Sequence, residues 1–277
     1  MTTNRVDATH QLAAFLRARR ERLTPPEVGL PVRGRSRRTP GLRREEVAEL
    51  AGVSTDYIMR LEQARGLRPS LVVAEALARA LRLAPDERAY FFGLAQPRPR
   101  VAEQPAPAAA PALARLIADL SPLPAVLLNH RYDVLAWNNS MAGLMIDFGT
   151  VPPAQRNAIR LCLLHPAIRR SYLDQERVVR DGVAHLRAAW ARHPDDRALG
   201  DLIDECITRD AEVAKWWNAR DLALTGRGPK TVRHRELGVI TTEFEVLTPL
   251  GDPDQIVVVH RAADEASRAA LRRLSGE

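Results

Sequence analysis

The sequence predicts two domains of different class, an all-α unit followed by an α+β unit built on a five-stranded antiparallel sheet. Three observations carry this: a charge balance that differs between the two ends, a proline-rich stretch between them, and a change of hydrophobic period across that stretch. The 277-residue chain has a formal net charge of +7, but residues 1–100 hold 19 Arg and no Lys against 11 acidic residues, a balance of +8, which leaves −1 for the rest. A basic part joined to a near-neutral part implies that only the first meets a polyanion. Codon bias explains Arg over Lys but not an excess confined to one end. From Gln96 to Pro111 the run QPRPRVAEQPAPAAAP breaks helices and favours extended geometry, so 97–111 reads as a linker between domains at 1–96 and 112–277.

Before the linker the period is helical. Leu12, Phe15, Leu16, Arg19 and Leu23 fall near one face of a first helix, and Leu71, Ala74, Leu77, Ala78 and Leu81 near one face of another. Ala84-Pro85-Asp86-Glu87 places proline and acids where a helix begins, and Tyr90, Phe91 and Leu94 supply the apolar face that follows.

Between these helices, LRREEVAELAGVSTDYIMRLEQ (42–63) carries the densest information. Val47, Ala48, Leu50, Ala51, Val53, Ile58 and Leu61 take buried-type positions around Gly52, where a short turn needs a left-handed backbone. Ala48 permits close helix approach, and Ser54 can cap a second helix. The window from Arg43 to Gln63 therefore predicts a helix-turn-helix that reads double-stranded DNA. Ser54, Thr55, Asp56, Tyr57, Met59 and Arg60 lie at the start of the second helix, from which side chains reach base edges. Arg43, Arg44, Arg65 and Arg68 flank it and suit phosphates, which would make binding salt dependent. An ordinary helical hairpin shares the apolar spacing but has no need of the cap and the turn glycine together. Arg33, Arg35, Arg37 and Arg38 form a separate basic loop, either a DNA-contacting arm or a solvated surface.

After the linker the period becomes that of strands. AVLLN (125–129) and DVLAW (133–137) read as a hairpin across His130-Arg131-Tyr132. A helical stretch from Asn139 to about Arg220 is interrupted at Val151-Pro152-Pro153, His165-Pro166 and His193-Pro194. Strands return at 230–237, 239–247 and 255–262, with Gly238 and Gly251-Asp252-Pro253-Asp254 at the turns. Consecutive hairpins favour an antiparallel sheet over a dinucleotide-binding one, and no glycine-rich strand-to-helix turn is present.

No apolar run reaches bilayer-spanning length and no export signal opens the chain, so the expected location is the cytoplasm, with no membrane partner. Cys162 and Cys206 lack partners at metal-ligand spacing and are expected as core thiols in a reducing compartment, with no metal and no cofactor.

The segment Leu12 to Ala95, centred on TPGLRREEVAELAGVSTDYIMRLEQARGLRPS, resembles the five-helix Xre type of helix-turn-helix domain. That string, with LAWNN (135–139), RNAIRL (156–161), HPDD (193–196) and GDPDQIVVVH (251–260), is similar to the MmyB-like regulators. The resemblance covers nearly the whole chain and implies a PAS-like second half that binds a small apolar or amphipathic ligand such as a fatty acid. A buried carboxylate would need a cation, for which Arg160 within RNAIRLCLL is the first candidate; an outward Arg on an amphipathic helix is the other reading. Trp137 could wall a pocket, with Asn138 and Asn139 offering polar groups or capping a helix. Trp217 could line the cavity and His234 meet a polar head or serve structure alone. Arg220 stands where the family often has His three positions after the Trp, and His165 where an acid commonly precedes the proline, which leaves the ligand open. A homodimer reading a two-fold related site is expected. An interaction module and an enzyme are the competing readings of the second half, the latter without a nucleophile elbow, phosphate loop or metal cluster in the sequence.

Overall fold

A computed structural model describes residues 7–31, 41–65, 68–95, 108–220 and 226–276. The basic loop Arg33, Arg35, Arg37 and Arg38 and most of the linker lie outside them. Packing divides the chain into two compact units, Met1–Ala102 with Arg187–Asp204, and Glu103–Leu186 with Glu205–Glu277.

In the first unit the expected helices are α1 (Ala8–Arg22), α2 (Arg44–Ala51), α3 (Thr55–Glu62), α4 (Leu71–Ala80) and α5 (Pro85–Ala95). α1 packs on α3 and α5, and α2 on α3 and α4. The apolar spacing of α1 buries Phe15 against Tyr90 and Phe91 of α5, with ring centroids 5.2 and 6.2 Å apart. Leu23, expected on that face, is instead the C-cap just beyond α1 and is half-buried. Serines begin α3 and α4: Ser54 accepts from the Tyr57 amide and Ser70 from that of Val73. Residues 187–204 complete the unit. Arg187 is 1% exposed, and its Nη1 donates to Gln11 Oε1 at 3.1 Å and Tyr90 Oη at 3.3 Å. Gly93 approaches the Ala191 carbonyl so closely that a Cβ would stand 2.6 Å from its oxygen.

The second unit is α+β. After α6 (Pro111–Asp119) come β1 (Ala125–Asn129), β2 (Val134–Trp137), α7 (Asn139–Leu144), α8 (Ala158–Leu164) and α9 (Pro166–Ser171). α10 (Gln175–Arg192), α11 (Arg197–Arg209) and α12 (Ala211–Ala219) lead to β3 (Arg227–His234), β4 (Gly238–Leu247), β5 (Gln255–Ala262) and α13 (Glu265–Ser275). The strands form one antiparallel sheet in the order β2-β1-β5-β4-β3. β1 reads as an unbroken apolar run because both its faces are covered. Ala125 and Leu127 pack with Val257, Val259 and Ile117 of α6, while Val126 and Leu128 face a cavity on the other side. The prolines at 152–153 and 166 fall where sequence reading put breaks: a 3₁₀ turn occupies Pro153–Gln155, and Pro166 opens α9.

Candidate functional site

In the helix-turn-helix, Gly52 ends α2 with φ +66° and ψ 34°, and its amide closes the turn onto Ala48 and Glu49. A Cβ at Gly52 would meet nothing within 4 Å, so the glycine is required by backbone conformation alone. Val47, Ala48, Ala51, Ile58 and Leu61 are buried, whereas Leu50 and Val53 are half-buried. α3 buries Ile58, Leu61 and Glu62, which turns Thr55, Asp56 and Arg60 outward. Ser54 is exposed as the cap, and Tyr57 and Met59 lie half-buried beside that face. Partial burial pushes the Tyr57 phenol above its ordinary value, so it remains a hydrogen-bond donor at neutral pH.

The flanking arginines divide. Arg65 and Arg68 are exposed. Arg43 is the N-cap of α2, its amide donating to Glu46 Oε2 at 2.6 Å and its guanidinium resting on Glu45 at 3.2 Å. Arg44, expected on phosphate, instead donates from Nε to Glu62 Oε2 at 2.7 Å. Glu62 is 4% exposed and is also held by Arg20, whose Nε lies 2.6 Å from Oε1. Arg44 thus belongs in part to the interior, because a buried carboxylate needs charged donors.

The second unit holds a partly open cavity of about 130 Å³ between the sheet and its helices. Val126, Leu128, Val258, Phe244, Lys230 and His260 form its sheet wall. Met141, Ile159, Cys162, Tyr172, Gly182 and His185 face them. The lining is mainly apolar, and the volume is close to the roughly 150 Å³ that accepts one benzene in an engineered core, short of a long acyl chain. Polar groups, among them His260 and Lys230, interrupt the apolar wall. Burial, aided by the nearby Lys230 charge, holds the His260 imidazole down at about 3, so it is neutral at physiological pH. Its Nδ1 lies 3.0 Å from Thr242 Oγ1, which itself donates to the Lys230 carbonyl at 3.3 Å. Lys230 places Nζ 5.0 Å from the Phe244 ring centroid and 5.8 Å from that of Tyr172. Burial and the adjacent Cys162 raise the Tyr172 phenol well above its ordinary value.

None of the six residues singled out for the ligand lines this cavity. Arg160 is the main correction: its Nη2 and Nε bind the two oxygens of Glu205 at 2.7 and 3.0 Å. That bidentate pair depresses the Glu205 carboxyl and commits the guanidinium. Asn138 is a cap whose Oδ1 accepts from Met141 and Ala125 amides and whose Nδ2 donates to the Ile117 and Leu123 carbonyls. Asn139 is exposed. Trp137 stands opposite Val126 but packs on Phe148, centroids 5.4 Å apart, with the Arg156 guanidinium 5.2 Å from its ring centroid. Trp217 is buried in α12 outside the lining. His234 donates from Nε2 to the Gly143 carbonyl at 3.2 Å and accepts two turn amides at Nδ1, a structural role at the hairpin. Sequence reading missed Lys230 and His260. The signal was period two: Lys230 alternates with Val232, and His260 with Ile256 and Val258. Cys162 is a lining residue as well as a buried one, while Cys206 is wholly buried, its thiol pushed up to about 12 chiefly by desolvation.

Comparison with known proteins gives two matches, the second of which runs through residues 187–204 that pack with the first unit. Residues 11–91 match a helix-turn-helix domain. Residues 109–274 match the MmyB-like transcription regulator ligand binding domain. No curated protein matches the chain, and no helix among the described residues is long and apolar enough to cross a membrane. With more than half of its length in the second match, the chain belongs to the MmyB-like transcription regulators, ligand-responsive proteins that bind DNA through a helix-turn-helix.

Proposed function

We propose that this protein reads a specific operator through the exposed face of α3 and that a compact, largely apolar molecule in the sheet cavity sets that activity. The largely apolar cavity within the matched ligand-binding segment carries the reading. Its volume suits a body of about six carbons, a short fatty acid being one such molecule. In the DNA complex Thr55, Asp56, Tyr57, Met59 and Arg60 face base edges, and Arg43, Arg65 and Arg68 face phosphates. Ser54 holds the helix start, and Arg44 shares its charge with Glu62.

The protein acts as a cytoplasmic Xre-type regulator, with a PAS-like second unit, and as a homodimer on a two-fold related site. The eight-residue α3 of one copy offers few base contacts, and a second half-site multiplies them. Two free cysteines fit a reducing compartment. Thermal unfolding of the full chain with a panel of small apolar compounds tests the ligand, because a molecule that prefers the folded state raises the midpoint. Footprinting with and without a stabilising compound then reads operator symmetry and response together. No shift across the panel turns the second unit into an interaction module; protection of a single asymmetric site removes the dimer.

A further inference from the structure

α10 belongs to both units. Through Leu186 it packs with the second, and from Arg187 onward with the first. In its earlier part Val178, Asp181, Gly182 and His185 all line the cavity, at a spacing of three, four and seven that puts them on one helical face. Tyr132, in the turn between β1 and β2, lines the cavity too, and its Oη lies 3.1 Å from His185 Nδ1. Its backbone takes φ +68°, which a bulky residue adopts only where its surroundings hold it. Two residues past His185, about 3 Å along the helix axis, Arg187 donates to Gln11 of α1 and Tyr90 of α5. One turn further the Ala191 carbonyl sits against Gly93 of α5 with no room for a methyl group between them. α1 in turn packs on α3, and its Arg20 holds Glu62 of that helix. From Gly182 to Ala191 every residue but His185 is buried. A helix enclosed in this way shifts as a body rather than bending, since close-packed neighbours leave it no slack.

We propose that α10 is the lever by which occupancy of the cavity reaches the DNA-reading helix, with the Tyr132–His185 pair as its input and Arg187 as its output. The inference rests on the cavity being the ligand site. A ligand shifts a balance between two arrangements only by contacting them differently. The wall supplies that difference, because four of its residues ride on the helix that moves. Any displacement of His185 carries Arg187 and Ala191 with it, so α1 and α5 repack, and packed helices repack between discrete arrangements rather than by continuous sliding. The coupling is one free energy shared by both ends. A residue at the output end therefore sets the response without touching the ligand.

The test uses the full-length protein with toluene, 1-hexanol and hexanoate as probes, a raised melting midpoint showing which of them binds. Hydrogen exchange read by mass spectrometry then follows peptides of α7 and α8, beside the cavity, and of α1, α3 and α5, with and without saturating probe. In wild type, exchange is expected to change by roughly 5-fold or more in both sets. Arg187 lies outside the cavity lining, so in Arg187→Leu the probe still binds and the change in α7 and α8 remains, while that in α1, α3 and α5 is lost. If Arg187→Leu does not fold, Tyr90→Phe combined with Gln11→Ala removes the same bonds from the other side. An Arg187 that served structure alone would alter the baseline rates and leave the probe response intact. A response in α1, α3 and α5 that survives loss of these bonds, or none there in wild type with probe bound, overturns the lever and leaves the cavity as a ligand site. No midpoint shift from any probe overturns the cavity reading and the lever with it.

Discussion

Glu62 is where the charges of the first unit converge. Arg20 and Arg44 bind its carboxylate, and Arg17 donates to its main-chain carbonyl at 3.1 Å. Arg20 is itself 5% exposed and also holds the Leu42 carbonyl at 2.9 Å, so the pair ties α1 to the segment entering α2. Removing one partner of a buried pair strands the other, which costs far more than an exposed pair is worth. Glu62→Gln is therefore expected to lose about 3–5 kcal/mol of stability, read by urea unfolding. The same geometry separates two arginines that look alike in sequence. Arg65→Ala should lower the slope of log affinity against log salt by about 0.9 while leaving the melting midpoint in place. Arg44→Ala should lower the midpoint as well, because it takes a donor from Glu62. In the second unit His260 makes the pH dependence specific. Folded, it takes a proton only near pH 3; unfolded, near its ordinary 6.5. The unfolded chain binds more protons between these values, so this residue's stabilisation is complete above about pH 6.5 and falls as pH drops through the interval. The slope approaches roughly 1.4 kcal/mol per pH unit. Urea midpoints from pH 7 to 4 should fall less steeply for His260→Gln than for wild type; parallel curves would show that the imidazole is not held neutral.

Elements were more legible than sites, for a physical reason. A helix or strand is set by residues a few positions apart: the Gly52 turn, the Ser54 cap and the Ile58 and Leu61 spacing all fall within one short window. Four of the five strands lie where alternating or continuous apolar runs put them, because a covered sheet face stamps its period on the sequence, while β3, mostly polar, runs 227–234 instead of the expected 230–237. The cavity has no such local signature, since its wall is assembled from β1, β3, β4 and β5 with α7, α8 and α10. Arg160 shows the failure clearly. Within RNAIRLCLL it could be read as an inward cation or as an outward Arg on an amphipathic helix, and nothing nearby in sequence announces Glu205, 45 positions on. Lys230 stands in a strand that is mostly polar, with nothing local to single it out, and only the register puts it beside Phe244. At this scale the turn between α2 and α3 gives a clean prediction. An added Cβ at Gly52 finds open space, so Gly52→Ala should cost only the left-handed backbone penalty, about 1–2 kcal/mol by urea unfolding, with no loss of helix packing. A larger loss would mean that the turn has rearranged.

The division into units makes sequence order a poor guide to the smallest autonomous DNA-binding piece. The proline-rich linker suggests that a fragment ending near residue 102 should contain everything α3 needs. Yet residues 187–204 pack with the N-terminal helices although they lie far beyond the linker in sequence. They bring a guanidinium onto Tyr90 and Gln11 and a helix backbone against Gly93. Arg187, Ala189, Trp190 and Ala191 are almost without exposure, so they contribute buried surface rather than a passing contact. Without them the outer faces of α1 and α5 near Gln11, Tyr90 and Gly93 meet water, while the buried pairs around Glu62 persist. A fragment of residues 1–102 should therefore keep the helical signature and the salt dependence of DNA binding but melt below the corresponding transition of the full chain. Circular dichroism melting of the fragment beside the full chain checks this. Arg187→Leu in the full protein isolates the part due to the guanidinium, since leucine keeps apolar contact but gives up the bonds to Gln11 and Tyr90. A fragment that melts at or above the full chain's transition would show that residues 187–204 rest on the N-terminal helices without stabilising them.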